Sequence, residues 1–113
     1  MKKINWHVEE AVALYALYFR YPKYTNISKD EMLELSEILK LRAKILNYNV
    51  SDKYRNLEGI SKQLGNIHYV VTDGKEGLKN TSKIFYETFE LYKKFPKIFD
   101  RILKEFYDKY NII

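Results

Sequence analysis

The sequence predicts an all-α fold of about five helices in one domain over residues 1–113, with a tri-helical core in 5–70 and a helical pair in 83–113. Three observations predict it. Apolar residues return at steps of three and four in five separate segments, the spacing that keeps side chains on one face of a helix. Asn5, Ser28 and Ser82, residue types that accept hydrogen bonds from free helix N–H groups, stand just ahead of three of those segments. Pro96 falls where a proline is tolerated best, at the first position of a helix. A chain of 113 residues has the length of one domain and can bury a core without disulfides or metals.

The first helix is expected over 6–20, where Trp6, Ala13, Leu14, Leu17 and Tyr18 recur at helical steps, with Val8 or Glu9 between them. Glu9 and Glu10 fall near its N-terminus, where the helix dipole favours carboxylates. It should end around Tyr21-Pro22, because a residue before proline avoids the helical region. Ser28-Lys29-Asp30-Glu31 is a capping-box signature. Behind it Met32, Leu35, Ser36 and Leu39 form one face of a second helix over 29–41. Arg42-Ala43-Lys44-Ile45-Leu46 could extend that helix, while Asn47-Tyr48-Asn49 and Ser51-Asp52 read as loop. A third helix is expected from near Asn56 through Ile60, Leu64 and Ile67 to Tyr69 or Val70. Gly59 and Gly65 weaken it by up to ~1 kcal/mol each relative to alanine, so it must depend on packing or on a close backbone approach. Thr72-Asp73-Gly74-Lys75-Glu76-Gly77 is a two-glycine loop. After Ser82, the residues Ile84, Phe85, Thr88, Phe89, Leu91 and Tyr92 mark a fourth helix. A fifth begins at Pro96, with Ile98 or Phe99, Ile102, Leu103, Phe106 and Tyr110 on its inner face.

The absence of cysteine excludes disulfides, cysteine-based zinc sites and thiol nucleophiles, and fits a reducing cytoplasm. No apolar run approaches the ~20 residues that span a bilayer, and no signal-peptide apolar stretch follows the N-terminus. A cytoplasmic protein without membrane contact is expected. The net charge of +5 is unevenly placed: five basic residues face six acidic ones in 1–38, nine face four in 39–83, and six face five in 84–113. The excess therefore lies in the middle third. It either favours a polyanionic partner or is an ordinary solvated lysine-rich surface.

Residues able to support catalysis are few. His7 and His68 are far apart and lack a partner at ligand spacing, which reads as two structural histidines rather than a metal site. Gly74-Lys75-Glu76-Gly77 lacks the spacing of a phosphate-binding loop and reads as a turn. Glu37 and Lys40 are a common helical surface pair. No enzyme activity, metal or cofactor is expected.

One distributed pattern stands out. The third helix is basic at its start and polar on one side, offering Arg55, Asn56, Ser61, Lys62, Gln63 and Asn66. Arginine and lysine can take phosphates or guanine, and asparagine and glutamine can address adenine. Arg42, Lys44, Lys53, Lys75 and Lys79 would add phosphate contacts. The competing structural reading is that Arg55 caps a helix C-terminus or pairs with Glu9 or Glu10, and that Asn56 is the N-cap of the third helix.

In order and spacing, three groups of residues resemble the N-terminal helical domain of HNH-type, restriction-like endonucleases. They are Trp6, Glu9, Glu10, Leu14 and Tyr18; then Arg55, Asn56, Ile60, Ser61, Lys62, Leu64 and Asn66; then Gly77, Leu78, Asn80 and Ser82. Together they span roughly residues 5–92. The resemblance implies a helical DNA-recognition module with a Myb-like or helix-turn-helix layout, placed ahead of a nuclease domain. The HNH nuclease domain itself is missing, and Tyr86 or Phe89 stands where a tryptophan is expected in the fourth helix.

The function expected from residues and resemblance together is a non-catalytic DNA-binding module of a restriction-type system. The alternative is a small phage or mobile-element protein that inhibits a host nucleic-acid-targeting defence complex by protein contact. Tyr15, Tyr18, Tyr21 and Tyr24, with Phe19, would be its anchors, unless they line the rim of the core. The apolar face of the last helix, with Phe95, Phe99, Ile102, Phe106 and Tyr110, should either complete the core or form a homodimer surface.

Overall fold

The computed structural model describes residues 4–111. Five α-helices follow one another: α1 (Val8–Phe19), α2 (Lys29–Ile45), α3 (Leu57–Val71), α4 (Lys83–Lys94) and α5 (Pro96–Tyr110). A 3-10 turn at Tyr24–Asn26 separates α1 from α2. No strand occurs among the described residues, so the fold is all-α. None of the described helices is long and apolar enough to cross a membrane.

The architecture is built around α1. Its residues Ala11 to Leu17, VALY framed by alanines, are apolar on every side rather than along one stripe, and a helix apolar all round needs neighbours all round. Ala11, Val12, Ala13, Leu14, Tyr15 and Leu17 are fully buried, and α1 touches each of the other four helices. Tyr15 donates its hydroxyl to the Phe85 carbonyl at 2.6 Å, tying α1 to α4. Phe99, Phe106 and Tyr110 of α5 enter the same core as Leu35, Leu39, Ile60 and Ile67. Phe99, Phe106 and Tyr110 thus complete the core with α1, whereas Phe95 and Ile98, also expected on the inner face, stay exposed.

Several boundaries differ from expectation for local reasons. The N-cap of α1 is His7, not Asn5: His7 Nδ1 accepts from the Glu9 N–H at 3.3 Å, while the His7 N–H donates to Glu10 Oε1 at 2.9 Å. A capping box needs an acceptor three residues before the glutamate, and histidine fills that role here. The second helix runs on to Ile45 and stops in a Schellman turn. Asn47 takes a left-handed φ of 59°, and the Tyr48 N–H reaches back to the Ala43 carbonyl at 2.8 Å. The same device, with Asp73 and Gly74, ends α3.

Candidate nucleic-acid interface

Five charged side chains meet at the N-terminus of α1. Glu10 is fully buried and Glu9 nearly so, and each must find cations because an unpaired buried carboxylate is prohibitively costly. Arg42, from the last turn of α2, donates through Nε to Glu9 and lies 3.6 Å from Glu10. Arg55, from the loop before α3, grips Glu10 at 3.0 and 3.2 Å. Lys109, near the end of α5, reaches Glu9 at 2.8 Å. Burial opposes ionisation of Glu9. The hydrogen bonds from Lys109 and Arg42, with their charges, outweigh it and hold the carboxyl below its ordinary range. Arg55 is further fixed between two rings, 3.9 Å from the Trp6 centroid and 4.4 Å from that of Tyr54. Its backbone sits at a left-handed φ of 49°, uncommon without glycine, and its carbonyl is held by the buried Ser36 hydroxyl at 2.6 Å. The cluster therefore joins α1, α2, the α2–α3 loop and α5.

This geometry corrects part of the expected contact surface. Arg42 and Arg55 are not presented to a ligand as free cations, because Glu9 and Glu10 need them inside. Asn56 is the N-cap of α3, accepting from the Gly59 N–H at 2.8 Å. Asn66 is buried, and its amide donates to Gln63 Oε1 at 2.8 Å, so it does not reach outward. Nor does Gly65 admit a foreign backbone. Leu78 lies across Gly65, whose carbonyl accepts from the Leu78 N–H at 3.0 Å; a Cβ on Gly65 would come 2.8 Å from Leu78 Cδ1. The close approach is made by this chain's own loop.

Lys44, Lys53, Lys62, Lys75 and Lys79 are exposed, and Gln63 is half-exposed. Lys53 and Gln63 line a cleft of about 750 Å³ together with Arg55 and Lys83, a residue absent from the expected set. Lys62 lines an adjoining groove beside Leu78. Lys79 follows Leu78 on the loop that crosses α3. These lysines surround the first half of α3, whereas Lys44 sits in the last turn of α2 and Lys75 beyond the C-terminus of α3. Lys83 was recognisable in principle, since it follows the Ser82 cap and so begins a helix.

His68 holds two members of the tyrosine cluster, Tyr18 and Tyr24. Tyr18 Oη lies 2.8 Å from His68 Nδ1, Glu76 Oε1 lies 2.8 Å from Nε2, and the Tyr24 ring stacks on the imidazole at 4.2 Å between centroids. Phe19 stacks on Tyr92 at 4.4 Å. Among the described residues no group of three or more His, Asp and Glu side chains is arranged to hold a metal ion. In comparisons with known proteins, no family model, curated protein or solved structure matches this chain.

Proposed function

We propose that the chain is a non-catalytic DNA-binding module of the restriction-system type, gripping the phosphate backbone through lysines around α3 rather than through arginines. One observation supports this most. Once Arg42 and Arg55 are set against Glu9 and Glu10, the segment 39–83 still carries seven lysines against four acids. None of those seven lysines has a carboxylate within ion-pair distance among the described residues, and one of the four acids, Glu76, is bonded to His68. In the rest of α4 and in α5, by contrast, Lys93, Lys94, Lys104 and Lys109 are paired and only Lys97 among the described lysines there is not. Unpaired lysines are the groups that release counterions from DNA.

Fluorescence anisotropy with duplex and single-stranded DNA tests the reading. Lys62→Gln/Lys79→Gln should weaken binding to every sequence by a similar factor while the circular dichroism spectrum stays unchanged. Wild-type protein that binds neither DNA at low salt would overturn it. The inhibitor reading draws less support, because Tyr15 is buried against Phe85 and Tyr18 and Tyr24 are held by His68, although Phe19, stacked on Tyr92, stays exposed.

A further inference from the structure

The cleft beside Arg55 differs from the other four principal cavities in one respect: no aspartate or glutamate lines it. It is framed by the segment ahead of α1, the turn at 50–55 and the start of α4, and its volume of about 750 Å³ falls within the range of small-ligand sites. Lys53 of the turn at 50–55 and Lys83 at the start of α4 both line it, with the hydroxyl residues Ser51 and Ser82. Arg55 supplies part of the floor. Its Nε and one terminal nitrogen hold Glu10 and the Asn5 carbonyl, and its other terminal nitrogen has no partner among the described residues. The Ser82 side chain makes no capping bond and the Phe85 N–H turns back to the Ser82 carbonyl at 3.1 Å, which leaves the Lys83 and Ile84 N–H groups, in residues that line the cleft at the start of the 12-residue α4, without a partner among the described residues.

We infer that this cleft binds a phosphate monoester, in particular the terminal phosphate of a DNA strand. Because Glu10 already balances Arg55, the uncompensated charge comes from Lys53 and Lys83. Two positive charges match a monoester, which carries nearly two negative charges at neutral pH, better than an internal diester, which carries one. A concave site also admits a chain end more readily than a continuous backbone. The inference rests on the DNA-binding reading for its source of phosphate, but the cleft chemistry stands independently of it.

Anisotropy with single strands identical except for a terminal phosphate or hydroxyl tests the inference, using the full chain. The phosphorylated strand should bind roughly tenfold tighter, the size of a charge-assisted hydrogen bond or two. Lys53→Gln/Lys83→Gln should abolish that preference, whereas Lys62→Gln/Lys79→Gln should weaken both strands and keep it. Equal binding of the two strands by wild-type protein overturns the strand-end assignment while leaving DNA binding intact. Trp6, the only tryptophan, lines the cleft and supplies a second readout. If neither strand binds, a nucleoside monophosphate that shifts wild-type Trp6 fluorescence but not that of Lys53→Gln/Lys83→Gln supports a monoester site filled from free nucleotide. No shift overturns the site itself.

Discussion

Arg55 shows how one residue can carry two readings that only geometry separates. In sequence it stands ahead of a polar helix, where an arginine suits a DNA phosphate equally well. In the fold it is held by Glu10, two aromatic rings and the Asn5 carbonyl, in a backbone conformation that those contacts must sustain. Arg55→Ala or Arg42→Ala should therefore lower stability by ~3–5 kcal/mol, the cost of stranding a buried carboxylate. Urea denaturation measures this, and a variant of wild-type stability with selectively lost DNA binding would contradict it. Glu9 makes a pH prediction. Its folded-state pKa lies below the ordinary value of 4.5, so the stability it contributes is present above that pH and is lost as pH falls through the depressed value. Glu9→Gln should cost roughly 2 kcal/mol at neutral pH and flatten the stability profile below about pH 4.5. An unchanged acid slope in the variant would show that Glu9 is not one of the linked groups. The pairing of Arg55 with Glu9 or Glu10 was among the readings open in the sequence, whereas Arg42 was expected only as a phosphate contact and its pairing with Glu9 was missed. The sequence could not choose, because the partners lie 33 to 45 residues apart and nothing local fixes which face of α2 or the loop meets α1.

At the scale of elements, the glycine pair in and after α3 makes the sharpest test. Gly77 has a φ of 95°, and a Cβ there would fall 2.5 Å from the Gly65 carbonyl oxygen and 2.6 Å from the Tyr69 nitrogen. Gly77→Ala should destabilise by more than about 2 kcal/mol, since both backbone conformation and space oppose it. Gly65→Ala meets only the Leu78 side chain, so Leu78→Ala should relieve a large part of its cost and leave that of Gly77→Ala untouched. A double-mutant cycle by thermal denaturation checks this, and additive effects at Gly65 and Leu78 would refute the interlock. Element existence was legible throughout. All five helices stand where the three-four periodicity places them, Ser28 caps α2 and Pro96 opens α5 as expected. The misses are at ends and faces. His7 is an uncommon cap, the end of α2 depended on Asn47 adopting a left-handed turn, and α1 looked like a one-sided stripe only because its other faces carry small residues, Ala11 and Val12 among them.

On the scale of the whole molecule, the fold sorts its charges into two populations. Carboxylates in α1 draw two arginines inward and hold Lys109, and Lys93, Lys94 and Lys104 pair within α4 and α5, which leaves seven lysines between Lys40 and Lys83 without an ion pair among the described residues. The basic middle third was visible in the sequence as a count, but not which of its cations were available, because that depends on pairing across helices. The central claim is that these lysines hold DNA through its phosphates. The most direct measurement is the salt dependence of duplex binding by wild-type protein and by Lys53→Gln/Lys62→Gln/Lys79→Gln. With about four phosphates neutralised, the wild-type log–log slope should lie near −3 to −4, and the triple variant should lose roughly 2 to 3 of it while keeping the same circular dichroism spectrum. A wild-type slope near zero, or a triple variant indistinguishable from wild type, would contradict the account.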